Sequence, residues 1–261
     1  MRHLLLILGF IFLTAIISNA QDSIVFKKVI YISTTGLALP YRILYPENYD
    51  KTKKYPLILF LHGAGERGNN NESQLVHGSK LFLDLANRKN YPAIVIFPQC
   101  QTGGYWSSVD VNRNTSPFTL QFDYTKPITH ALQAAIELVQ KIIINESVDR
   151  SRVYITGLSM GGMGTFEAVY RYPDLFAAAV PICGGADVDA YDKRVSKIPF
   201  RVFHGAKDVV VDVKNSHAIV EKLKTLHTKV EYIEYPEANH NSWDNAFAEP
   251  DFLSWMFSKK R

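Results

Sequence analysis

The sequence predicts an α/β protein: one domain on a mostly parallel sheet of about eight strands, with helices on both faces and no large lid. Three observations carry that prediction. Short apolar, β-branched-rich runs alternate with segments of helical periodicity, the pattern of strand–helix–strand units. Several runs are apolar at nearly every position, as in strands covered on both faces. No repeat, low-complexity tract or linker divides the chain.

Segments 24–33 and 41–45 read as an opening antiparallel pair, turned by Thr34-Thr35-Gly36. Runs 57–61, 93–97 and 153–156 read as buried strands, and 177–182, 200–204 and 230–235 continue the series. The clearest helix is predicted from Pro127, a favoured first-turn residue, with apolar repeats at Ile128, Ala131, Leu132, Ala135, Leu138, Val139 and Ile142. A second runs from Ser159 toward Tyr172 and is stopped by Pro173. Helices over 216–227 and 250–259 complete the set. Segment 99–126 is the least regular, yet it carries Tyr105, Trp106 and Phe118, which points to a working loop.

With 261 residues, 47% hydrophobic and 21% charged, the chain is globular in composition, which excludes collagen-like, disordered and coiled-coil classes. Its net charge of +4 is spread along the chain, so no nucleic-acid partner is expected. Residues 1–20 read as an export signal. Met1-Arg2-His3 is a positive start, 4–17 is almost wholly apolar, and Ser18-Asn19-Ala20 offers small residues for cleavage after Ala20. The expected mature domain is 21–261, exported to periplasm or outside, with no stable membrane association. Cys100 and Cys183 each follow a predicted strand. If those strands lie three spacings apart, about 14 Å, the thiols are beyond bridging reach.

Gly157-Leu158-Ser159-Met160-Gly161 fits G-x-S-x-G and lies between a predicted strand and a predicted helix, the setting this nucleophile turn requires. A serine hydroxyl needs a base beside it. Of the four histidines after Ser159, His204 sits in an apolar run and reads as structural, while His217 and His227 fall on a solvated helix. His240 follows the last strand and is the expected base. The acid is expected just beyond the preceding strand, where Gly205-Ala206-Lys207-Asp208 supplies Asp208, in preference to Asp212. The backbone N–H groups of Met160 and Ala64, with Gly63 as neighbour, are the expected oxyanion donors. The loop 62–68 lacks the G-K-[ST] of a phosphate cradle. No cofactor is expected. No metal is expected either, since no two histidines have close ligand spacing, and Asp187, Asp189 and Asp192 read as a solvated loop.

Taken together, Leu39-Pro40-Tyr41-Arg42-Ile43-Leu44-Tyr45-Pro46, the loop 62–68 and segments 157–162, 205–208 and 240–244 resemble the α/β-hydrolase superfamily over nearly all of the mature chain. More narrowly they resemble small secreted esterases related to carbohydrate esterase family 1. That group includes feruloyl and acetylxylan esterases, polyhydroxybutyrate depolymerase-like proteins and so-called predicted peptidases. The resemblance implies Ser159, Asp208 and His240 as a triad. It also implies substrate contacts at Trp106 and Trp243, with Tyr105 in the same aromatic loop. One departure is Asp212, where the group usually has proline. The expected activity is hydrolysis of an ester substrate, an acylated carbohydrate of the feruloyl type. A serine peptidase, a short-chain carboxylesterase or polyester depolymerase, and a non-catalytic binding module are the alternatives.

Overall fold

The computed structural model describes residues 25–261, so the predicted export signal lies outside the described residues. Eight strands form one sheet: β1 (Lys27–Ile32), β2 (Ala38–Leu44), β3 (Tyr55–Leu61), β4 (Ile94–Pro98), β7 (Val148–Leu158), β8 (Ala178–Ile182), β9 (Phe200–Gly205) and β10 (Val230–Tyr235). Their order is β1-β2-β4-β3-β7-β8-β9-β10. β1 pairs with β2, and β2 with β4, in antiparallel fashion, and every later pairing is parallel.

Alternation along β3 explains its unbroken apolar run. Leu57, Leu59 and Leu61 join one core cluster and Ile58 and Phe60 the other, and all five are fully buried. One face is covered by α3 (His130–Asn145), α4 (Met160–Arg171) and α5 (Lys214–Thr225). The other receives α1 (Ser79–Leu83), α6 (Trp243–Ala248) and α7 (Phe252–Phe257), which bring Phe82, Ala246, Phe252 and Met256 into the second cluster. A short α2 (Leu85–Asn90) follows α1.

Several predicted boundaries move for local reasons. α3 starts at His130, not Pro127, because the Thr129 hydroxyl accepts from Leu132 N–H and caps the helix there. β7 begins at Val148, since Val148 pairs with Tyr55 before a register shift. α1 and α2 went unpredicted, being too short for helical periodicity to show. The irregular segment 99–126 contains a separate hairpin, β5 (Val109–Asn112) with β6 (Thr119–Phe122). Its strands alternate half-buried and exposed positions, a pattern visible in Val-Asp-Val-Asn but short enough to be read as loop.

β4 and β8 are separated by β3 and β7, so Cys100 and Cys183 stand three strand steps apart. Both thiols are free and buried. Among the described residues, no helix is long and apolar enough to cross a membrane.

Candidate active site

Parallel strands send their carboxyl ends to one edge of the sheet, and four of them supply the site. β3 leads into His62-Gly63-Ala64, β7 into Ser159, β9 into Asp208 and β10 into the His240 loop. Ser159 has φ 53° and ψ −117°, an unfavourable conformation for a residue with a side chain. Its N–H donates to Ile182 O at 2.9 Å, which pins the turn to β8. The sharp return is possible because Gly161 has no side chain: a Cβ there would sit 1.9 Å from Leu61 O.

At this edge three side chains meet in series. Ser159 Oγ lies 2.9 Å from His240 Nε2. His240 Nδ1 lies 2.7 Å from Asp208 Oδ2. A carboxylate only accepts, so Nδ1 carries the hydrogen and Nε2 is left free to take the serine proton. Asp208 Oδ1 accepts from the N–H groups of Val210 and Val211 at 2.8 and 2.9 Å. Burial alone would raise the Asp208 pKa. Hydrogen bonds from His204 and His240, the nearby His240 charge and the Val211 N–H outweigh it and hold the carboxyl well below the usual range.

His204 has a larger part here than the sequence suggested. Its Nε2 lies 3.1 Å from Asp208 Oδ2 and 2.9 Å from Val211 O, two acceptors, so this nitrogen bears the hydrogen. Its Nδ1 is 2.7 Å from Ser216 Oγ. Two imidazoles therefore share one oxygen of Asp208. The i, i+4 spacing of His204 and Asp208 was visible in sequence, but a strand followed by a turn gives that spacing no fixed geometry.

Met160 is the first residue of α4, so its N–H has no partner within the helix and points out of the helix start beside Ser159. Ala64 opens a short 3₁₀ turn after Gly63. A Cβ on Gly63 would lie 2.8 Å from Leu158 Cδ1 and 2.9 Å from Glu66 Oε2, so the loop passes tightly against the end of β7. Beneath it, His62 accepts from Cys100 N–H through Nε2 at 3.0 Å, and its Nδ1 meets Gly63 O at 2.6 Å. Burial, helped by the Arg67 charge and opposed by the Gly63 bond, lowers the His62 pKa to about 4.

Gly63, Ala64, Ser159 and His240 open on a cavity of about 240 Å³. Tyr105 and Trp243 line it, as does Phe118 of the predicted working loop, and so do Glu66, His77 and Arg113, to which the sequence assigned no role. Arg113 and Phe118 come from the β5–β6 hairpin. Trp106 is elsewhere, a correction to its expected place at the cleft. It is 0% exposed and its indole N–H donates to His62 O at 3.1 Å. The cause is Glu167, fully buried on α4, which accepts from Ser107 and Ser108 and draws this segment into the core.

Among the described residues, Cys183, Asp208 and His240 place one potential metal-ligand atom each within 4.8 Å of one another. Asp208 and His240 are already engaged in hydrogen bonds. Burial, and then the Asp208 charge, push the Cys183 thiol pKa up, away from the thiolate a metal prefers. In the predicted solvated loop, Asp189 is exposed and Asp192 caps a short turn. Asp187 differs: half-buried, it accepts from Tyr124 N and Ala190 N.

A mostly parallel sheet with a serine turn, an imidazole and a carboxylate at its carboxyl edge defines the α/β-hydrolase class. The phospholipase/carboxylesterase family model matches residues 48–253, and the chain belongs to that family of ester hydrolases. It is 32% identical over 135 residues to poly(3-hydroxyalkanoate) depolymerase C of Paucimonas lemoignei, covering 50% of this chain and 28% of that protein. In fold it is similar to a thermostable esterase, with a TM-score of 0.82 at 34% identity over 92% of this chain and 64% of that one. A ferulic acid esterase of Anaeromyces mucronatus shares the fold, with a TM-score of 0.63 at 18% identity over 88% and 91% of the two chains. The chain spans about a quarter of the length of two curated relatives it matches, 28% and 22%.

Proposed function

We propose that this chain is an exported serine carboxylesterase whose triad is Ser159, His240 and Asp208. The observation that carries the reading is the unbroken series from Ser159 Oγ through His240 to Asp208 Oδ2, at 2.9 and 2.7 Å. Ser159 Oγ attacks the ester carbonyl carbon as His240 Nε2 takes its proton. The imidazolium that forms is balanced by the buried Asp208 carboxylate. Met160 N–H and Ala64 N–H, with the Gly63 N–H adjoining, receive the developing oxyanion, and one such donor contributes about 3 kcal/mol in related chemistry. His240 then returns the proton to the leaving alkoxide. A water, activated by the same imidazole, releases the acid from Ser159.

The substrate class in this reading is an acylated plant-cell-wall polysaccharide carrying an aromatic acyl group of the ferulate type. Support comes from the aromatic lining of the cavity at Tyr105, Phe118 and Trp243. The fold shared with a ferulic acid esterase is compatible with it. Export rests on the pattern of residues 1–20 and places the enzyme in the periplasm or outside the cell.

Ser159→Ala is the direct test. It abolishes hydrolysis of p-nitrophenyl acetate while leaving the far-ultraviolet dichroism and melting profile intact; retained turnover overturns the nucleophile assignment. Rates on methyl ferulate, acetylated xylan, a short aliphatic ester and a peptide amide then rank the feruloyl reading against the acetyl, aliphatic and peptidase ones.

A further inference from the structure

Two successive carbonyls of the loop after β3 are held by buried rings. His62 O accepts from the Trp106 indole N–H at 3.1 Å. Gly63 O lies 2.6 Å from His62 Nδ1, which bears the ring hydrogen because Nε2 accepts from Cys100 N–H. In a trans peptide the carbonyl and the N–H that follows it share one plane and point in opposite directions. Fixing His62 O therefore aims Gly63 N–H away from Trp106, and fixing Gly63 O aims Ala64 N–H away from the His62 ring. Both residues line the cavity with Ser159, and neither N–H has an acceptor among the described residues.

Trp106 is held in its turn by α4, the helix whose first residue carries the other expected oxyanion donor. Glu167 on α4 accepts from Ser107 Oγ at 2.8 Å and from Ser108 N–H at 2.6 Å. Gly164 lets the tryptophan lie directly on the helix: a Cβ there would sit 2.5 Å from Trp106 Cβ and 2.9 Å from Trp106 O. The helix also meets the loop itself at Gly161, where a Cβ would sit 2.8 Å from His62 O. The Trp106 and His62 rings complete the contact edge to face, centroids 5.3 Å apart.

We propose that Trp106 is a positioning residue for the oxyanion, whose indole registers the loop 62–64 against α4 so that Gly63, Ala64 and Met160 N–H groups serve one oxygen beside Ser159. The inference rests on the serine-esterase reading above. It gives the tryptophan a part in the transition state without any contact with substrate. A donor aimed at the oxyanion gains strength only as charge develops there, so spoiling its aim slows acylation and weakens the hold on a tetrahedral adduct together.

The test is Trp106→Phe, which keeps a buried ring and removes the indole N–H. The kcat/KM for p-nitrophenyl acetate should fall about tenfold, less than the roughly 10²–10³-fold of a donor lost outright. Phenylboronic acid is the second probe. Ser159 Oγ adds to boron, His240 takes the serine proton, and an oxygen of the tetrahedral boronate occupies the oxyanion position. Its Ki should rise by the factor by which kcat/KM falls. The apparent pKa of the pH–rate profile should stay in place, because the series from Ser159 to Asp208 is untouched. Unchanged kcat/KM and Ki in a folded Trp106→Phe protein overturn the proposal and leave the tryptophan a core residue only. A fall in kcat/KM with no matching rise in Ki overturns it as well. Should Trp106→Phe fail to fold, Gly164→Ala, which displaces Trp106 from the α4 side with its indole intact, is judged by the same two constants. An unaltered protein that neither turns over the ester nor binds the boronate removes the esterase reading itself.

Discussion

The end of β9 and the loop after β10 each deliver a histidine to the same oxygen of Asp208, with opposite consequences. The His204 side chain is 0% exposed, and both of its nitrogens have partners within the core. The His240 side chain is 18% exposed, and its second nitrogen faces Ser159 at the cavity wall. Two imidazoles with a shared partner are thus divided by what lies on their far side. A far nitrogen tied to Ser216 fixes the carboxylate; a far nitrogen turned to a hydroxyl at a cavity can exchange a proton. Burial and the second partner separate a positioning histidine from a reactive one.

The largest effect is expected at His240. His240→Ala should lower kcat by about 10⁶-fold, as loss of a triad histidine does, with the urea midpoint nearly unchanged. A comparable activity loss in a folded His204 variant would break the distinction.

His62, a third histidine beneath the site, shows what burial as the largest influence does. Its folded pKa of about 4 lies below the ordinary 6.5, so the unfolded chain binds the proton first. Stability is full above pH 6.5 and is lost as pH falls toward 4, by about 3 kcal/mol in all. Urea titrations across that window should show this slope, and His62→Gln should flatten it; equal slopes in both proteins would remove His62 as its source.

His204→Leu should cost about 2 kcal/mol of stability, because it leaves the Ser216 hydroxyl and an Asp208 lone pair without their partner. It should also reduce kcat several-fold with KM little changed. His204→Gln, which restores a donor, should recover part of the kcat. A stability loss with no change in kcat would make His204 purely structural.

The smallest contrast concerns the two tryptophans. Trp106→Phe removes a buried hydrogen bond and should cost about 1 kcal/mol. Trp243→Phe, at the cavity with an unpartnered N–H, should change the melting free energy by less than about 0.5 kcal/mol. The reverse order would place Trp106 at the cleft after all.

Much of the fold could be read from the chain because strands buried on both faces must be apolar throughout, as 57–61 are. The edge where the site lies followed from the same reading, since parallel strands all deliver their next residues to one side. The hairpin at 109–122 escaped because its strands are short and half-solvated, leaving no strong pattern. Trp106 was misplaced because an aromatic residue in an irregular loop has the same local sequence whether it faces a cleft or the core. Partners distant in the chain, Glu167 holding Ser107 and Ser108 and His62 O accepting from the indole, decide between them.

By itself, then, the order of residues determined the alternation of strands and helices, the serine turn between two glycines, and the strand ends from which an acid and a base could come. Those features depend on near neighbours, through side-chain periodicity and the steric limits of the backbone. The tertiary structure alone decided that His204 joins His240 on one carboxylate oxygen, that Trp106 is interior, and that Glu66 and Trp243 line the cavity beside the triad. Each of these depends on groups distant in the chain competing for a few hydrogen-bonding atoms, and that competition is settled only when the layers pack.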